Sequence, residues 1–409
     1  MDYTTFSLPE RKAEINNPAL FLSLYHLFQH LPDPRRGQGQ RYELAFVLTL
    51  VVVAKICGEK TLKGVTQWAR YRRMLIAQHF GLTRKTMPCQ TTYSNHLAMV
   101  DPAQLSQLLA DFFVRWEAQG RCQDEPSRLR TPAGAYEHAH LALDGKTVRA
   151  TTSEETPVHQ LSLYEVNTGI MLAQCNVRDK QNEISAAKTL FNPAVLRGRI
   201  VSADAMHTQR HFCSLIHHAG GFYVLIAKGN QPSLREDIAD FFEDPSPDRR
   251  RWKQAQTCEK GHGRVERREI VCSPDLNDWF AATWCGIEQV FRLTRDTVIS
   301  KTGQRRQEVV YGFTNVPMRH ASADRLLDVV RKHWAIENRL HWRRDVTLGE
   351  DGCQSRTQSV PHVLTLLNTC VLSLMDRLGV KNVPDQIRWF QQDPTQAFLL
   401  VQKGTCHVV

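Results

Sequence analysis

The chain has 409 residues, 42% hydrophobic and 23% charged, which excludes disorder on a large scale and leaves room for more than one structural unit. Its 52 Lys and Arg against 42 Asp and Glu give a formal charge of +10, a balance that favours a polyanionic partner without identifying one. Eleven cysteines fall singly with no C-x-x-C pair, the pattern of reduced thiols in a cytoplasm rather than of a disulfide scaffold or zinc ribbon.

The opening MDYTTFSLPERKAE carries acids and no apolar stretch, unlike a secretory signal. The longest apolar run, Leu44 to Cys57, includes Lys55 and at about 14 residues falls short of the roughly 20 that cross a bilayer, so it predicts a buried helix and no membrane partner. Residues 1–117, helical from about residue 17, read as an all-helical N-terminal domain. Leu44, Val47, Leu48, Val51 and Lys55 follow helical spacing, and further helices are expected over Leu62 to Tyr71, Thr91 to Ala98 and Pro102 to Trp116. Within this region PDPRRGQGQRY brings Arg35, Arg36 and Arg41 together, and RYRR adds Arg70, Arg72 and Arg73. Both clusters offer phosphate contacts, and a solvated charged face explains either equally well.

Residues 118–137 are polar, aperiodic and rich in turn formers, as in a linker. From 138 to 380 the pattern becomes mixed α/β. Strands are expected at HLALD, at TVRATT after a Gly145-Lys146 turn, at LSLYEV and at IMLAQCNV. A helix follows over Glu183 to Leu190, then strand RIVSAD, a helix near Thr208 to His218 and strand FYVLIA. That order matches the front half of an RNase H-like mixed sheet. Between about 244 and 315 RVERREIVC, EQVFRLTRDTVI and EVVYGFTN predict a β-rich insertion, and helical spacing returns from Ser322 through Leu326, Val330, His333, Glu337, Leu340 and Arg344. Residues 381–409 are left as a C-terminal tail.

Three acids stand out. Asp144 follows an apolar strand, where an unpaired charge is costly, although an Asp before Gly also suits a turn. Asp204 repeats the arrangement and opens into a helix, so an N-cap is its alternative. Glu337 lies one helical turn from both His333 and His341, so a salt-bridged surface helix is its alternative; no tight His spacing favours zinc. Hard oxygen donors in such a triple suit two Mg²⁺ ions, with Mn²⁺ as substitute, because three clustered carboxylates repel one another without a cation.

The chain also resembles the H-repeat-associated transposases of bacterial insertion sequences, within the DDE superfamily. LPDPRRGQGQRYELAFVLTLVVVAKICGEKTLKGVTQWA resembles that family's associated N-terminal domain. LALDGKTVRA, DKQNEISAA, VSADAMHTQR, YVLIAKGNQP, EKGHGRVERREI and RKHWAIENRLHWRRDVTLGED resemble successive blocks of its catalytic domain. The resemblance implies Asp144, Asp204 and Glu337 as catalytic and metal-binding acids, with Glu350 and Asp351 as fallback third acids. Where a related branch carries Tyr, Arg and Lys around its Glu, this chain has Val330, His333 and Arg344. DNA contacts are expected from Lys146 and Arg149 near the first acid, His207 and Arg210 near the second, and Lys228, Asn230 and Gln231 in a polar loop, with Arg344 as a further cation. GHGR (261–264) suits either a phosphate nest or a hairpin turn. The implied activity is metal-dependent cleavage at transposon ends and strand transfer into target double-stranded DNA by a cytoplasmic homodimer. A transposase-derived DNA-binding protein and a nuclease without strand transfer are the alternatives.

Overall fold

The structure, a computed structural model, describes residues 23–35, 40–83, 85–122, 138–148, 158–177, 183–244, 248–261 and 263–404. Arg36, Arg149, His262 and most of the 118–137 segment lie outside them.

The helices before the sheet are α1 (Leu24–Phe28), α2 (Leu44–Ile56), α3 (Leu62–Tyr71), α4 (Arg73–Phe80), α5 (Gln90–Met99) and α6 (Pro102–Cys122). Strands β1 (His140–Val148), β2 (Val158–Glu165) and β3 (Met171–Val177) lead into α7 (Glu183–Leu190), α8 (Pro193–Leu196) and β4 (Ile200–Ala203). Next come α9 (Arg210–His218), β5 (Phe222–Ala227), α10 (Pro232–Glu243), β6 (Lys253–Gly261), β7 (Arg264–Ser273), α11 (Asn277–Phe280), β8 (Gln289–Ile299) and β9 (Arg305–Thr314). The chain continues through α12 (Ala323–Lys332), α13 (Val360–Arg377), α14 (Val383–Gln392) and α15 (Pro394–Lys403).

Among the described residues nine strands share one mixed sheet in the order β3-β2-β1-β4-β5-β9-β8-β7-β6. β1, β4 and β5 run parallel, and the remaining pairings are antiparallel. The β structure expected as an insertion over 244–315 is therefore a continuation of the sheet, joined to β5 through β9. Its alternating pattern leaves one face apolar, and α12 covers that face with Leu326, Leu327 and Val329 packed against Ile270, Cys272, Phe291 and Leu293.

Two expectations need correction. HLALD and TVRATT are not separate strands: β1 passes straight through Gly145 and Lys146, both paired with β2. The absence of a side chain at Gly145 serves close packing, since a Cβ there would stand 2.7 Å from the Glu183 carboxylate. The segment 381–409 is more than a tail, because it forms α14 and α15. Every residue of α2 is buried, and it packs against α1, α3, α13 and α15, drawing helices from the front and back of the described residues into one core. A helix apolar on all sides has no solvent face to offer and settles in a core interior.

Candidate active site

β4 ends at Ala203, opposite Leu143, while β1 runs on; Asp144 and Asp204 are thus the next residues on two adjacent parallel strands. Neighbouring strands lie about 4.8 Å apart, so the two acids start from backbone positions side by side, at the carboxyl edge where an open sheet forms its crevice. Asp144 sits within a strand rather than a turn, and Asp204 makes no side-chain cap to the short turn that follows it. Neither local alternative explains these acids.

Glu337 arrives on a π-helical turn, Ile336–His341, that continues from α12 and contacts β1. Such widened turns are rare and recur at functional sites. Its back is pinned by arginines: Arg339 donates to the Val166 carbonyl at 2.7 Å and to Asp376 at 3.1 Å, and Arg343 donates to Asp376 at 2.8 Å. Its front carries Glu337 and His341, with His333 just before it. His341 does not pair with Glu337; its Nδ1 lies 3.2 Å from Asp144. His333 Nε2 lies 3.5 Å from Asp204, and its Nδ1 meets the Ser202 hydroxyl at 2.9 Å, which in turn meets buried His140 at 2.6 Å. Each Asp is thereby oriented by an imidazole from the Glu337 segment.

The electrostatics tie the acids together. Partial burial and the charges of Asp144 and Asp204 raise the Glu337 carboxyl above its ordinary range, against the opposing pull of His341 and His333. Asp204 is held low by its hydrogen bond to His333, against burial, with help from the charges of His333, Lys228 and His207. Among the described residues no three His, Cys, Asp or Glu side chains are gathered into a ready metal cluster, so tight zinc-type ligation is absent there. The donor types suit a divalent cation: all three are hard carboxylates, and Glu337 feels the negative charge of the other two, partly offset by His341 and His333.

Just behind the acids is a buried group that sequence reasoning passed over. Glu183 meets His159 Nε2 at 2.6 Å and His207 Nε2 at 3.3 Å, while His159 Nδ1 meets the Thr147 hydroxyl at 2.8 Å. Burial pushes the Glu183 carboxyl up, but hydrogen bonds and charge from the two imidazoles outweigh it and hold it down to about 2. The network links β1 just past Asp144 to the turn just past Asp204. The only signal for it in the sequence is the Glu of DKQNE, which reads equally well as an ordinary first-turn helix acid.

Several expected DNA contacts are engaged elsewhere. Arg344 is fully buried, with its guanidinium on Glu350 at 2.6 Å and on Gln160 at 2.9 Å, so neither Arg344 nor the fallback acid Glu350 reaches the mouth. Lys146 is buried against Asp345 at 2.6 Å and Asp351 at 3.8 Å, which also occupies the other fallback acid. His207 is buried in the Glu183 network. Arg35 is tied to Asp33 at 2.5 Å and to the Tyr42 carbonyl at 2.8 Å. Arg41, Arg210, Lys228 and Asn230 are exposed, Lys228 close enough to act on Asp204 and Asn230 donating to the Ala205 carbonyl at 2.6 Å. Gln231 donates to the Thr208 carbonyl at 2.9 Å. Gly261 closes β6 and pairs with Arg264, which opens β7.

Family models match two stretches of the chain: a transposase DDE domain over residues 135–374 and a DDE_Tnp_1-associated region over residues 25–113. The H repeat-associated protein YhhI of Escherichia coli strain K12 is 24% identical over 364 residues, covering 87% of this chain and 91% of its own length. An uncharacterised protein from the dhlA 3′ region of Xanthobacter autotrophicus is 31% identical over 266 residues, covering 64% of this chain and 84% of its own. A solved piggyBac transposase synaptic complex with hairpin DNA covers 94% of this chain and 79% of its own at 9% identity, with a TM-score of 0.41.

Proposed function

The chain belongs to the transposase DDE domain family, and from that premise we propose that Asp144, Asp204 and Glu337 are its catalytic acids, cutting DNA at the ends of a mobile element and joining the freed 3′-hydroxyls to target DNA. The observation that carries this reading is the shared electrostatic environment of three acids brought to one edge from β1, β4 and the π-helical turn. The strand order β3-β2-β1-β4-β5, with acids on adjacent parallel strands, supports an RNase H-like core.

The three carboxylates would hold two Mg²⁺ ions, or Mn²⁺ in their place; when bound, such a pair supplies activation of the attacking oxygen and charge neutralisation at the leaving one. His341 and His333 orient Asp144 and Asp204, and their ring N–H groups would be placed to donate toward a phosphate held there. Lys228, exposed beside Asp204, offers a positive charge to the same phosphate. Trp334 and Trp342 stand more than half exposed on the Glu337 segment and offer ring faces to unstacked bases. Two copies acting on paired ends in a bacterial cytoplasm complete the proposal.

Mg²⁺-dependent cleavage and joining of DNA carrying the element's own flanking ends tests it. Asp144→Asn, Asp204→Asn and Glu337→Gln should each abolish cutting while leaving DNA binding intact. Cutting without joining identifies a nuclease, and a wild type that binds these ends yet never cuts them with Mg²⁺ or Mn²⁺ identifies a binding protein.

A further inference from the structure

One face of β1 and β4 is turned toward α12, where Ile200 packs with Leu326 and Val329. His140 pairs with Ile200 and Ala142 with Ser202, and side chains alternate along a strand, so His140 and Ser202 share that face. His333, which follows α12, spans Ser202 and the acid two residues on: its Nδ1 meets the Ser202 hydroxyl at 2.9 Å and its Nε2 faces Asp204 at 3.5 Å. Behind Ser202, His140 Nε2 meets the same hydroxyl at 2.6 Å. A line of three side chains thus runs from the core to the second acid, with His140 and Ser202 both buried.

The acid fixes the direction of the hydrogen bonds on this line. An ionised carboxylate only accepts, so the His333 nitrogen facing Asp204 carries a proton. In the neutral ring Nδ1 then holds a lone pair, and the Ser202 hydroxyl donates to it. With its one hydrogen used, Ser202 accepts from His140, which puts the His140 proton on Nε2 and leaves Nδ1 bare. That Nδ1 is buried without a hydrogen-bond partner among the described residues, as this direction requires. Burial, with the positive charges of Arg325, His333 and Lys332, holds His140 well below the ordinary imidazole range, so it takes no second proton. Were the line reversed, His140 would bury an unpaired N–H and His333 would turn a lone pair on Asp204. A core histidine serving only the packing would have both nitrogens satisfied, whereas this one is committed to Ser202 alone.

We propose that Ser202, directed by His140, is a positioning residue that holds the His333 ring with its Nε2–H toward Asp204 and its lone pair turned inward. The inference rests on the reading of the acids as a DNA-cutting site, to which it adds that His333 offers the acid edge a donor and no ligating lone pair. His140 and Ser202 act only through His333.

Nuclear magnetic resonance of the full-length protein with isotopically labelled histidine nitrogens reads which ring nitrogen carries the proton, with neither DNA nor metal present. At about pH 8.5, above the ordinary histidine range of about 6.5, His333 and His140 should each show Nε2–H alone, their signals identified by loss in His333→Gln and His140→Gln. Ser202→Ala should let His333 exchange between its two N–H forms, and Ser202→Thr, which keeps the hydroxyl, should restore the single form. Cleavage of end-bearing DNA supplies the second arm. Ser202→Ala should lower kcat about two- to tenfold with KM for DNA unchanged, and Ser202→Thr should recover it. Once His333→Gln is present, Ser202→Ala should cost nothing further. A His333 proton on Nδ1, or a Ser202→Ala ring that matches wild type, overturns the proposal and leaves the catalytic reading standing where wild type cuts. A wild type with the single ring form that never cuts overturns the catalytic reading, and with it the ring's use in cutting, while the hold of Ser202 on His333 stands.

Discussion

Glu183 holds two imidazoles with one carboxylate, and the arrangement is possible only because position 145 has no side chain. Its carboxyl is held down to about 2, so the unfolded chain binds its proton first on acidification. The stability this supplies is present above the ordinary glutamate range near pH 4.5 and is lost as pH falls toward 2. Denaturant unfolding at stepped pH should show wild type losing stability across that window, and Glu183→Gln losing less by about one proton's dependence. An unchanged profile in the variant would remove Glu183 from this role. Asp144 and Asp204 stand out in the sequence because each sets a charge against an apolar strand, Asp144 within β1 and Asp204 just past the end of β4. Glu183 does not, because its burial is created by neighbours far along the chain, and an acid in the first turn of a helix is commonplace.

At the scale of elements, the segment bearing Glu337 shows where pattern reading succeeds and where it stops. The three-and-four spacing identified a helix with Glu337 on it, but the same spacing placed Arg344 on the acid's stripe. In the structure the helix widens into π turns over 336–341 and 343–347, which rotates Arg344 inward to a bidentate pair with Glu350, with Gln160 and Asn368 completing the contacts. Periodicity assumes a constant turn and cannot register that change. Arg344→Ala leaves Glu350 buried and unpaired, which should destabilise by about 3–5 kcal/mol, read as a lower denaturation midpoint. A surface DNA contact would instead lower affinity and leave the midpoint in place. Gly145 illustrates the converse limit, since Gly-Lys reads as a turn locally and becomes a strand residue only when the approach of Glu183 is known.

Across the whole molecule, sequence reading found most strands and several helices but not α10, α13, α14 or α15, and it divided the chain into a front domain, a catalytic domain and a tail, because composition shifts at 118–137 and again past 380. The packing crosses both divisions: α2 lies against α13 and α15, and the core beneath the acids continues into it. Contacts this distant in sequence leave no local signature, so a short C-terminal segment looks dispensable. Phe398 decides the matter. It is fully buried on α15, its ring 4.7 Å from His79 and 6.1 Å from both Trp68 and Phe80. Phe398→Ala opens a cavity among those rings, and a buried Phe cut to Ala costs about 3–5 kcal/mol where the surroundings do not collapse. Thermal unfolding followed by far-UV dichroism should therefore show a clearly lowered midpoint, and because α13 follows the segment carrying Glu337 and pins it through Asp376, the Mg²⁺-dependent cleavage proposed for the acids should be lost at lower temperatures in the variant than in wild type. A midpoint equal to wild type would mean that α15 is a detachable tail and that the helices at the front of the chain hold their core without it.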